Sequence, residues 1–278
     1  MARVLIVGHH LRSEARVLAT DAARWLEAHG HQPFLDPGDA ESLGLQSLAD
    51  GGEPKSAEVV LSLGGDGTML RAVHLLDGAA VPVIGVNVGL LGYLAEVEPI
   101  DLEQALERFF AGSYSVESRM MLRAEIGDSQ RFLALNEASL EKREAGHTVR
   151  MRVFIDGEMF TTYQADGLIA STPTGSTAYS LSARGPVVSP RHRAVLLTPV
   201  SPHMLFDRSL VLDPAERLEI EVIGHRPVDV AVDGRRVATL GEGDRIACGA
   251  AAAEALFVRF GPHHFHQVLK AKFGLADR

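Results

Sequence analysis

The sequence predicts an α/β domain followed by a mostly β domain. Up to residue 112, apolar runs of strand length alternate with segments in which apolar residues recur every three or four positions. This alternation favours helices packed on a mainly parallel sheet. From residue 113 onward, short runs with alternating apolar residues are separated by turn signals, which is typical of an antiparallel β domain. After Pro262 a helical pattern returns, and we expect this tail to pack back on the first domain.

In the first domain, strands are predicted at residues 3–8, 58–64 and 81–89. The apolar stripes of three predicted helices consist of Leu11, Ala15, Leu18, Ala22, Trp25 and Leu26, then Met69, Val73 and Leu76, then Leu102, Ala105 and Phe109. Gly30, Gly78 and Gly112 lie where these helices should end, and Asp101 fits the N-cap position of the third.

In the second domain, strands are predicted at residues 149–155, 159–163, 218–223, 228–232, 237–240 and 256–260. Asp156-Gly157 and Asp233-Gly234 are typical hairpin turns. We therefore predict a Rossmann-like α/β domain over residues 1–112, a β-sandwich-like domain over 113–260 and a returning tail over 261–278.

The composition of the chain argues against several classes of function. The chain has 278 residues, 27 Lys and Arg against 36 Asp and Glu, and a formal charge of −9. An acidic chain is unsuited to sequence-independent nucleic-acid binding or to anionic membranes, so no nucleic-acid or membrane partner is expected. The single Cys248 excludes an internal disulfide framework and a cysteine-based zinc site, which favours the cytoplasm. No secretory signal or membrane span is visible.

Gly64-Gly65-Asp66-Gly67-Thr68 lies between a predicted strand and a predicted helix. Glycines let the backbone approach a ligand closely, and the helix N-terminus behind them favours anions. Asp66 would repel bound phosphates unless it ligates a metal, accepts hydrogen bonds from sugar hydroxyls or takes a proton from an attacking hydroxyl. The alternative is a tight turn with an Asp helix cap. Arg71, one turn into the helix, is either a phosphate contact or a solvated surface residue.

A run rich in hydroxyl side chains follows a second predicted strand, DGLIASTPTGSTAYSLS from Asp166 to Ser182. Hydroxyls donate and accept without charge, which suits a ribose, an adenine edge or a phosphate oxygen. Ser176 or Thr177 fits the cap of a short helix, and the alternative is a capped turn without a ligand.

Other polar residues are weaker candidates. Asn136-Glu137 follows apolar residues, and a sugar diol would satisfy both side chains if they are buried, the alternative being a polar pair at a strand end. His147 and Asp233 are candidates of the same kind. His263, His264 and His266 lack partners at metal-site spacing, so we expect surface residues and no metal ligands. The pattern leaves the role of His9-His10 undecided.

The three motifs GGDGT, Asn-Glu and DGLIASTPTGSTAYSLS occur in one order, and their combination closely resembles the NAD kinase family. GGDGT is shared with diacylglycerol and sphingosine kinases and is related to a phosphofructokinase motif, whereas the TPTGSTAYS run is specific. The resemblance covers nearly the whole chain. It implies ATP-dependent phosphorylation of the adenosine ribose 2′-hydroxyl of NAD, which gives NADP.

The resemblance also implies roles for individual residues. Asp66 looks like the proton acceptor, with Gly67 beside the nucleotide and Arg71 on a phosphate. The remaining implied binding positions are Asn136, Glu137, His147, Gln164, Asp166, Thr177, Ala178, Tyr179, Ser180, Leu181, Ser182 and Arg235. Many family members have a basic residue where this chain has Gln164, and bacterial members often have an amide where it has Arg235.

The implied substrates are NAD and ATP, or polyphosphate as donor, with Mg²⁺ bound mainly by the phosphates and not by a cluster of protein ligands. The implied assembly is a homodimer or homotetramer. Two alternatives stay open, a lipid kinase of the diacylglycerol type and a non-catalytic NAD(H)/NADP(H) sensor.

Overall fold

The structure, a computed structural model, describes residues 1–89, 92–127, 129–262 and 265–275. The chain forms two compact units. The first contains Met1–Ser118 together with the C-terminal segment Ala255–Arg278, and the second contains Arg119–Glu254.

Strands and helices alternate in the first unit and strands dominate the second. The strands are β1 (Arg3–Gly8), β2 (Gln32–Phe34), β3 (Val59–Gly64), β4 (Pro82–Asn87), β5 (Ser115–Ile126), β6 (Gln130–Ala134), β7 (Glu137–Lys142), β8 (Val149–Ile155), β9 (Glu158–Ala165), β10 (Gly167–Ser171), β11 (Val195–Val200), β12 (Leu210–Leu212), β13 (Leu218–Ile223), β14 (Val228–Val232), β15 (Arg235–Leu240) and β16 (Arg245–Arg259). The α-helices are α1 (Ser13–Ala28), α2 (Pro37–Leu43), α3 (Asp66–Leu76), α4 (Leu102–Phe110), α5 (Tyr179–Ser182) and α6 (Phe265–Phe273).

The first unit is built on a parallel sheet in the order β2-β1-β3-β4, and Leu256 and Phe257 of β16 pair with β4 in the same direction. All six residues of β3 are buried, as expected for a central parallel strand covered on both faces. Alanines and leucines of α1 and α4 join the core with residues of β1 and β3.

The strand and helix alternation of the first unit is confirmed, with two differences. Leu11 was expected in the first helical stripe, but it is 91% exposed and precedes α1, which starts at Ser13. The elements β2 and α2 were not predicted, because a three-residue strand and a seven-residue helix are too short to show periodicity.

The second unit contains two antiparallel layers over one core, which confirms the β-sandwich-like prediction. One sheet has the order β12-β11-β10-β7-β14-β15. The other contains β13, β8 and β9 with the first residues of β16, and the β5–β6 hairpin adds to the core. Both predicted hairpin turns are present, and Asp156 (φ 51°) and Asp233 (φ 45°) each precede a glycine of positive φ, the conformation that such turns require.

The C-terminal tail packs on the first unit through α6. The ring of Phe265 lies 6.2 Å from that of Tyr93, and Lys272 Nζ lies 4.5 Å above the Tyr93 ring. None of the helices in the described part of the chain has the length and apolar character needed to cross a membrane.

Candidate functional site

The glycine loop of the first unit joins β3 to α3, as predicted. A Cβ atom at Gly64 would lie 2.1 Å from Thr68 Oγ1, so only glycine fits there. At Gly65 and Gly67 an added Cβ would meet no atom within 4 Å. The start of α3 is therefore open to a ligand, and the positive end of the helix dipole faces it.

Asp66 is the first residue of α3, and Gly65 is its N-cap. The alternative prediction, a tight turn in which Asp66 caps the helix, is thus wrong. Its carboxylate accepts hydrogen bonds from the backbone N–H of Tyr93 (2.9 Å to each oxygen) and of Leu94 (3.0 Å to Oδ1). A Cβ at Gly92 would lie 2.3 Å from Oδ1. Residues 92–94 therefore fix the carboxylate, which remains half-buried.

An open cavity of about 510 Å³ lies beside this loop in the first unit. Its lining residues are His9, His10, Leu11, Arg12, Gly65, Gly67, Thr68 and Arg71. Two arginines and two histidines thus face the glycine loop, although the chain as a whole is acidic. Arg12 and Arg71 can supply the local positive charge that an anionic ligand requires. His9-His10, undecided from the sequence, belongs to the lining of this cavity.

Asp39 anchors the basic residues of this cavity. Its buried carboxylate lies 3.0 Å from Arg71 Nη2 and 2.7 Å from His10 Nε2. Arg71 also donates to the carbonyl oxygen of Gly8 and contacts His10. Arg71 is therefore held in place and is not a freely solvated side chain. Asp39 was not predicted as a site residue, because it lies in α2, an element too short to show a periodic pattern.

In the second unit, Asp233 organises the Asn-Glu motif. Its carboxylate accepts the backbone N–H groups of Leu135 (2.8 Å), Asn136 (2.8 Å) and Glu137 (2.9 Å). The hairpin turn after β14 thus fixes the backbone at the start of β7, and Asp233 acts as a structural anchor of the motif.

Glu137 is a buried acid at the start of β7. Its side chain is buried, and Oε2 has no hydrogen-bond partner among the described residues. The pKa of Glu137 is raised to about 8, mainly by burial and then by the charge of Asp233, and a hydrogen bond from the backbone N–H of Tyr179 opposes the rise. A buried carboxyl oxygen without a partner is what a sugar hydroxyl would satisfy.

The buried hydroxyls of the Ser/Thr-rich run hold the loop in place. Thr172 Oγ1 donates to Leu135 O (2.6 Å) and accepts from Gly175 N–H (3.0 Å). Ser176 Oγ donates to Pro173 O (2.7 Å). The predicted helix cap is wrong: residues 174–177 form a 3₁₀ helix, and the N-cap of α5 is Ala178.

Tyr179 lies among carboxylates at the start of α5. Burial, then the charge and a hydrogen bond of Glu141, raise the pKa of Tyr179 to about 12, with smaller contributions from Asp166 and Glu137. Asp166 is neutralised by Lys142, whose Nζ lies 2.6 Å from its Oδ1. The structure thus brings Glu137 and Asp166 close enough to Tyr179 to act on its hydroxyl group.

A second cavity of about 410 Å³ lies beside α5. Its lining consists of Tyr179, Ser182, Ala183, Arg184, Pro199, Val200, Ser201, Pro202 and Asp207. Arg184 (φ 66°) and Ser201 (φ 45°) both have left-handed backbones, and such strained residues cluster at ligand sites. Neither residue belongs to a turn that the sequence predicts, so the sequence did not identify them as site residues.

The other predicted positions are distributed around these residues. Thr177, Ala178 and Leu181 are half-buried, Ser180 is fully buried, and its Oγ lies 3.1 Å from Thr198 Oγ1. His147 is exposed beside Thr148, to which Gln164 Nε2 donates (3.1 Å), and Arg235 is exposed at the start of β15. His263 and His264 lie outside the described residues, and His266 is exposed.

Comparison with known proteins identifies the family. Residues 4–114 match the ATP-NAD kinase N-terminal domain, and residues 135–260 match the ATP-NAD kinase C-terminal domain. The chain is 39% identical to the NAD kinase of Moorella thermoacetica, covering 98% of this chain and 89% of that one. It is 34% identical to the NAD kinase of Lachnoclostridium phytofermentans, with 99% of both chains covered.

Two solved structures have the same fold. The crystal structure of yeast NADH kinase complexed with NADH is 25% identical, with a TM-score of 0.90 over 100% of this chain and 89% of that one. The NAD kinase of Archaeoglobus fulgidus in complex with ATP is 23% identical, with a TM-score of 0.74 over 99% and 98% of the two chains. With both family domains matched and relatives similar over nearly their full length, the resemblance seen in the sequence is confirmed: this chain is an enzyme of the NAD kinase family.

Proposed function

We propose that this protein transfers the γ-phosphoryl group of ATP to the 2′-hydroxyl of the adenosine ribose of NAD, giving NADP and ADP, with Asp66 as the proton acceptor. The observation that carries the assignment is the Asp66 carboxylate, which two backbone N–H groups fix at the open start of α3, next to a cavity with two arginines. The new bond joins the ribose oxygen to the γ-phosphorus, the bond from that phosphorus to ADP breaks, and the hydroxyl proton passes to Asp66.

The first unit supplies the electrostatics of this transfer. Phosphoryl transfer depends on positioning and on neutralising charge more than on covalent help. The cavity lined by Arg12, Arg71 and the N-terminal turn of α3 has the charge and shape for the phosphates of the donor. A neutral ribose hydroxyl is a weak acid, so an aligned carboxylate helps most as the proton leaves in the transition state.

The second unit supplies the recognition of NAD in this proposal. Glu137 Oε2, buried without a partner, would accept a hydrogen bond from a ribose hydroxyl. We assign the further contacts to Asn136, Asp166 and residues 177–182, of which Tyr179 and Ser182 line the cavity beside α5. His147, Gln164 and Arg235 are assigned by the family resemblance, and their exposure leaves them accessible to a ligand.

The described residues do not fit a protein cage for Mg²⁺, since they include no group of three or more His, Cys, Asp or Glu side chains that could hold a metal ion. We propose that Mg²⁺ enters with the phosphates of ATP, and we assign no step to it. A cytoplasmic location and a homodimeric or homotetrameric assembly are parts of the same proposal.

The assay that tests the function compares acceptors and donors directly. Purified protein with ATP, Mg²⁺ and NAD should form NADP, and the same mixture with diacylglycerol should form no phospholipid. NADH as acceptor and polyphosphate as donor define the substrate range. Binding of NAD without turnover would support the sensor and would refute the kinase assignment.

Asp39→Asn should raise the KM for ATP about tenfold and change kcat less than threefold. Asparagine keeps the shape of the side chain but removes the charge that holds Arg71. The interaction lost is about one charge-assisted hydrogen bond. Steady-state kinetics at varied ATP concentrations measures both the KM for ATP and kcat. Asp50→Asn is the matched control, because Asp50 pairs with Arg3 (2.6 Å) in a partly exposed ion pair. Equal KM values for both variants would exclude Asp39 from donor binding.

The stability of the second unit should fall with rising pH because of Glu137. The pKa of Glu137 is about 8 in the folded protein and near 4.3 in an unfolded chain. The folded state therefore holds the proton more tightly, so this stabilisation is fully present below the unfolded pKa and is lost as pH rises to 8. Between pH 5 and 8 the loss, relative to Glu137→Gln, should be on the order of 4 kcal/mol.

Urea unfolding of both proteins at several pH values measures this difference. Glu158→Gln, at the exposed first residue of β9, is the control and should follow the wild type at every pH. A constant difference between wild type and Glu137→Gln across this pH range would show that Glu137 is ionised in the folded protein.

A further inference from the structure

We propose that Arg259 is a positioning residue for Asp66 and acts through residues 92–94. The inference rests on the proposed function, because it concerns the carboxylate to which that function assigns the proton. Arg259 is the last residue of β16 and is 4% exposed. All residues of the argument belong to the first unit.

Leu94 links the two side chains through its own backbone. Arg259 Nη1 donates to the carbonyl oxygen of Leu94 (2.8 Å), and the N–H of Leu94 donates to Asp66 Oδ1 (3.0 Å). A displacement of Leu94 therefore moves one of the N–H groups that donate to Asp66. Gly92 leaves little room for such a shift, because even a Cβ atom there would lie 2.3 Å from Asp66 Oδ1.

Two glutamates fix the guanidinium itself. Glu117 Oε2 lies 2.7 Å from Arg259 Nε, and Glu96 Oε2 lies 3.6 Å from Nη1. Glu96 also accepts the backbone N–H of Phe260 (3.0 Å), which ties it to the end of the same strand. The planar guanidinium presents donors in several fixed directions, so it can satisfy Glu117 and Leu94 together. A lysine ammonium is a single point charge and would lose this geometry.

The C-terminal segment holds the loop at a second point. Tyr93, which donates its backbone N–H to Asp66, contacts Phe265 and Lys272 of α6 through its ring. Strand β16 thus contacts Leu94 and helix α6 contacts Tyr93, and both residues belong to the segment 92–94 that fixes the Asp66 carboxylate. A function for the returning tail follows: it aligns the proton acceptor.

Arg259→Lys should lower kcat roughly 30-fold, since a small misplacement of a reacting group is costly. The KM values for NAD and ATP should change less than twofold, because Arg259 touches neither substrate in this proposal. The decisive measurement is the same substitution in the Asp66→Asn background. If Arg259 acts through Asp66, the residual turnover there should fall less than twofold.

Arg108→Lys is the matched control. Arg108 also donates to a backbone carbonyl oxygen, that of Phe260 (2.6 Å), and its guanidinium lies over the Phe260 ring. Its kcat should stay within twofold of the wild type. If Arg259→Lys does not fold, Glu117→Gln loosens the same guanidinium more gently and should lower kcat about fivefold with the same dependence on Asp66.

An unchanged kcat, or an equal fall of kcat in both backgrounds, would overturn the positioning role. In either case NADP formation by the wild type would leave the proposed function intact. A wild-type protein that forms no NADP would overturn the proposed function instead.

Discussion

Asp66→Asn should lower kcat for NADP formation by about 10³-fold and leave NAD binding within threefold of the wild type. Asparagine has the shape of aspartate, and its amide oxygen still accepts the N–H of Leu94, so the loop around residue 66 keeps its course. The amide cannot accept the ribose proton, and the transition state loses its base. Steady-state NADP formation and calorimetric titration with NAD measure the two effects separately.

The control for this variant is Asp77→Asn. Asp77 lies at the other end of α3 and pairs with Lys55 (2.9 Å) at the surface, so its loss should change neither kcat nor NAD affinity. Turnover of Asp66→Asn near the wild-type rate would remove Asp66 from the mechanism. Loss of NAD binding in Asp66→Asn would instead give the carboxylate a binding role.

Gly175→Ala should destabilise the protein by about 3 kcal/mol and weaken NAD binding at least about tenfold. A Cβ atom at this position would lie 2.2 Å from the carbonyl oxygen, 2.6 Å from the carbonyl carbon and 2.7 Å from the Cα of Asn136. All three are backbone atoms, which cannot rotate away as a side chain would. The turn must therefore separate from the Asn-Glu motif, to which Thr172 N–H binds it through Asn136 O (2.8 Å).

Urea unfolding and titration with NAD measure both consequences of Gly175→Ala. Gly51→Ala is the control, because an added Cβ there meets no atom within 4 Å. If the variant is destabilised but binds NAD with wild-type affinity, the close approach of these two segments serves folding alone, and the assignment of Asn136 and Glu137 to NAD binding fails.

Local signals in the sequence predicted much of the fold because they need only neighbours along the chain. The strand Arg3–Gly8 is found with the predicted bounds, since the apolar run has the length of a strand and ends at a glycine. The turn at Asp156-Gly157 is likewise determined locally, because few residues other than glycine, asparagine and aspartate adopt positive φ there. Short elements such as β2 and α2 contain too few residues to show a hydrophobic period. Their formation therefore depends on packing against the rest of the fold. The predicted boundaries at residues 112 and 260 stay predictions.

The glycine loop, the Asn-Glu motif and the hydroxyl-rich run were recognisable as candidate binding elements in the sequence, because together and in this order they resemble the motifs of the NAD kinase family. The long-range partners that fix these motifs were not recognisable. Asp39, separated from Arg71 by 32 positions, and Arg259, separated from Leu94 by 165, reach their partners only in the folded chain.

The sequence by itself thus determined the two fold types, the two predicted hairpins and the family, which follow from local patterns and motif order. Only the tertiary structure decided which groups are fixed, buried or neutralised. Glu137 is an ordinary acid in the sequence, and its pKa of about 8 arises from burial beside Asp233, a residue 96 positions away. Desolvation and charge act through space, so the ionisation of a site residue depends on neighbours that the order of the chain does not reveal.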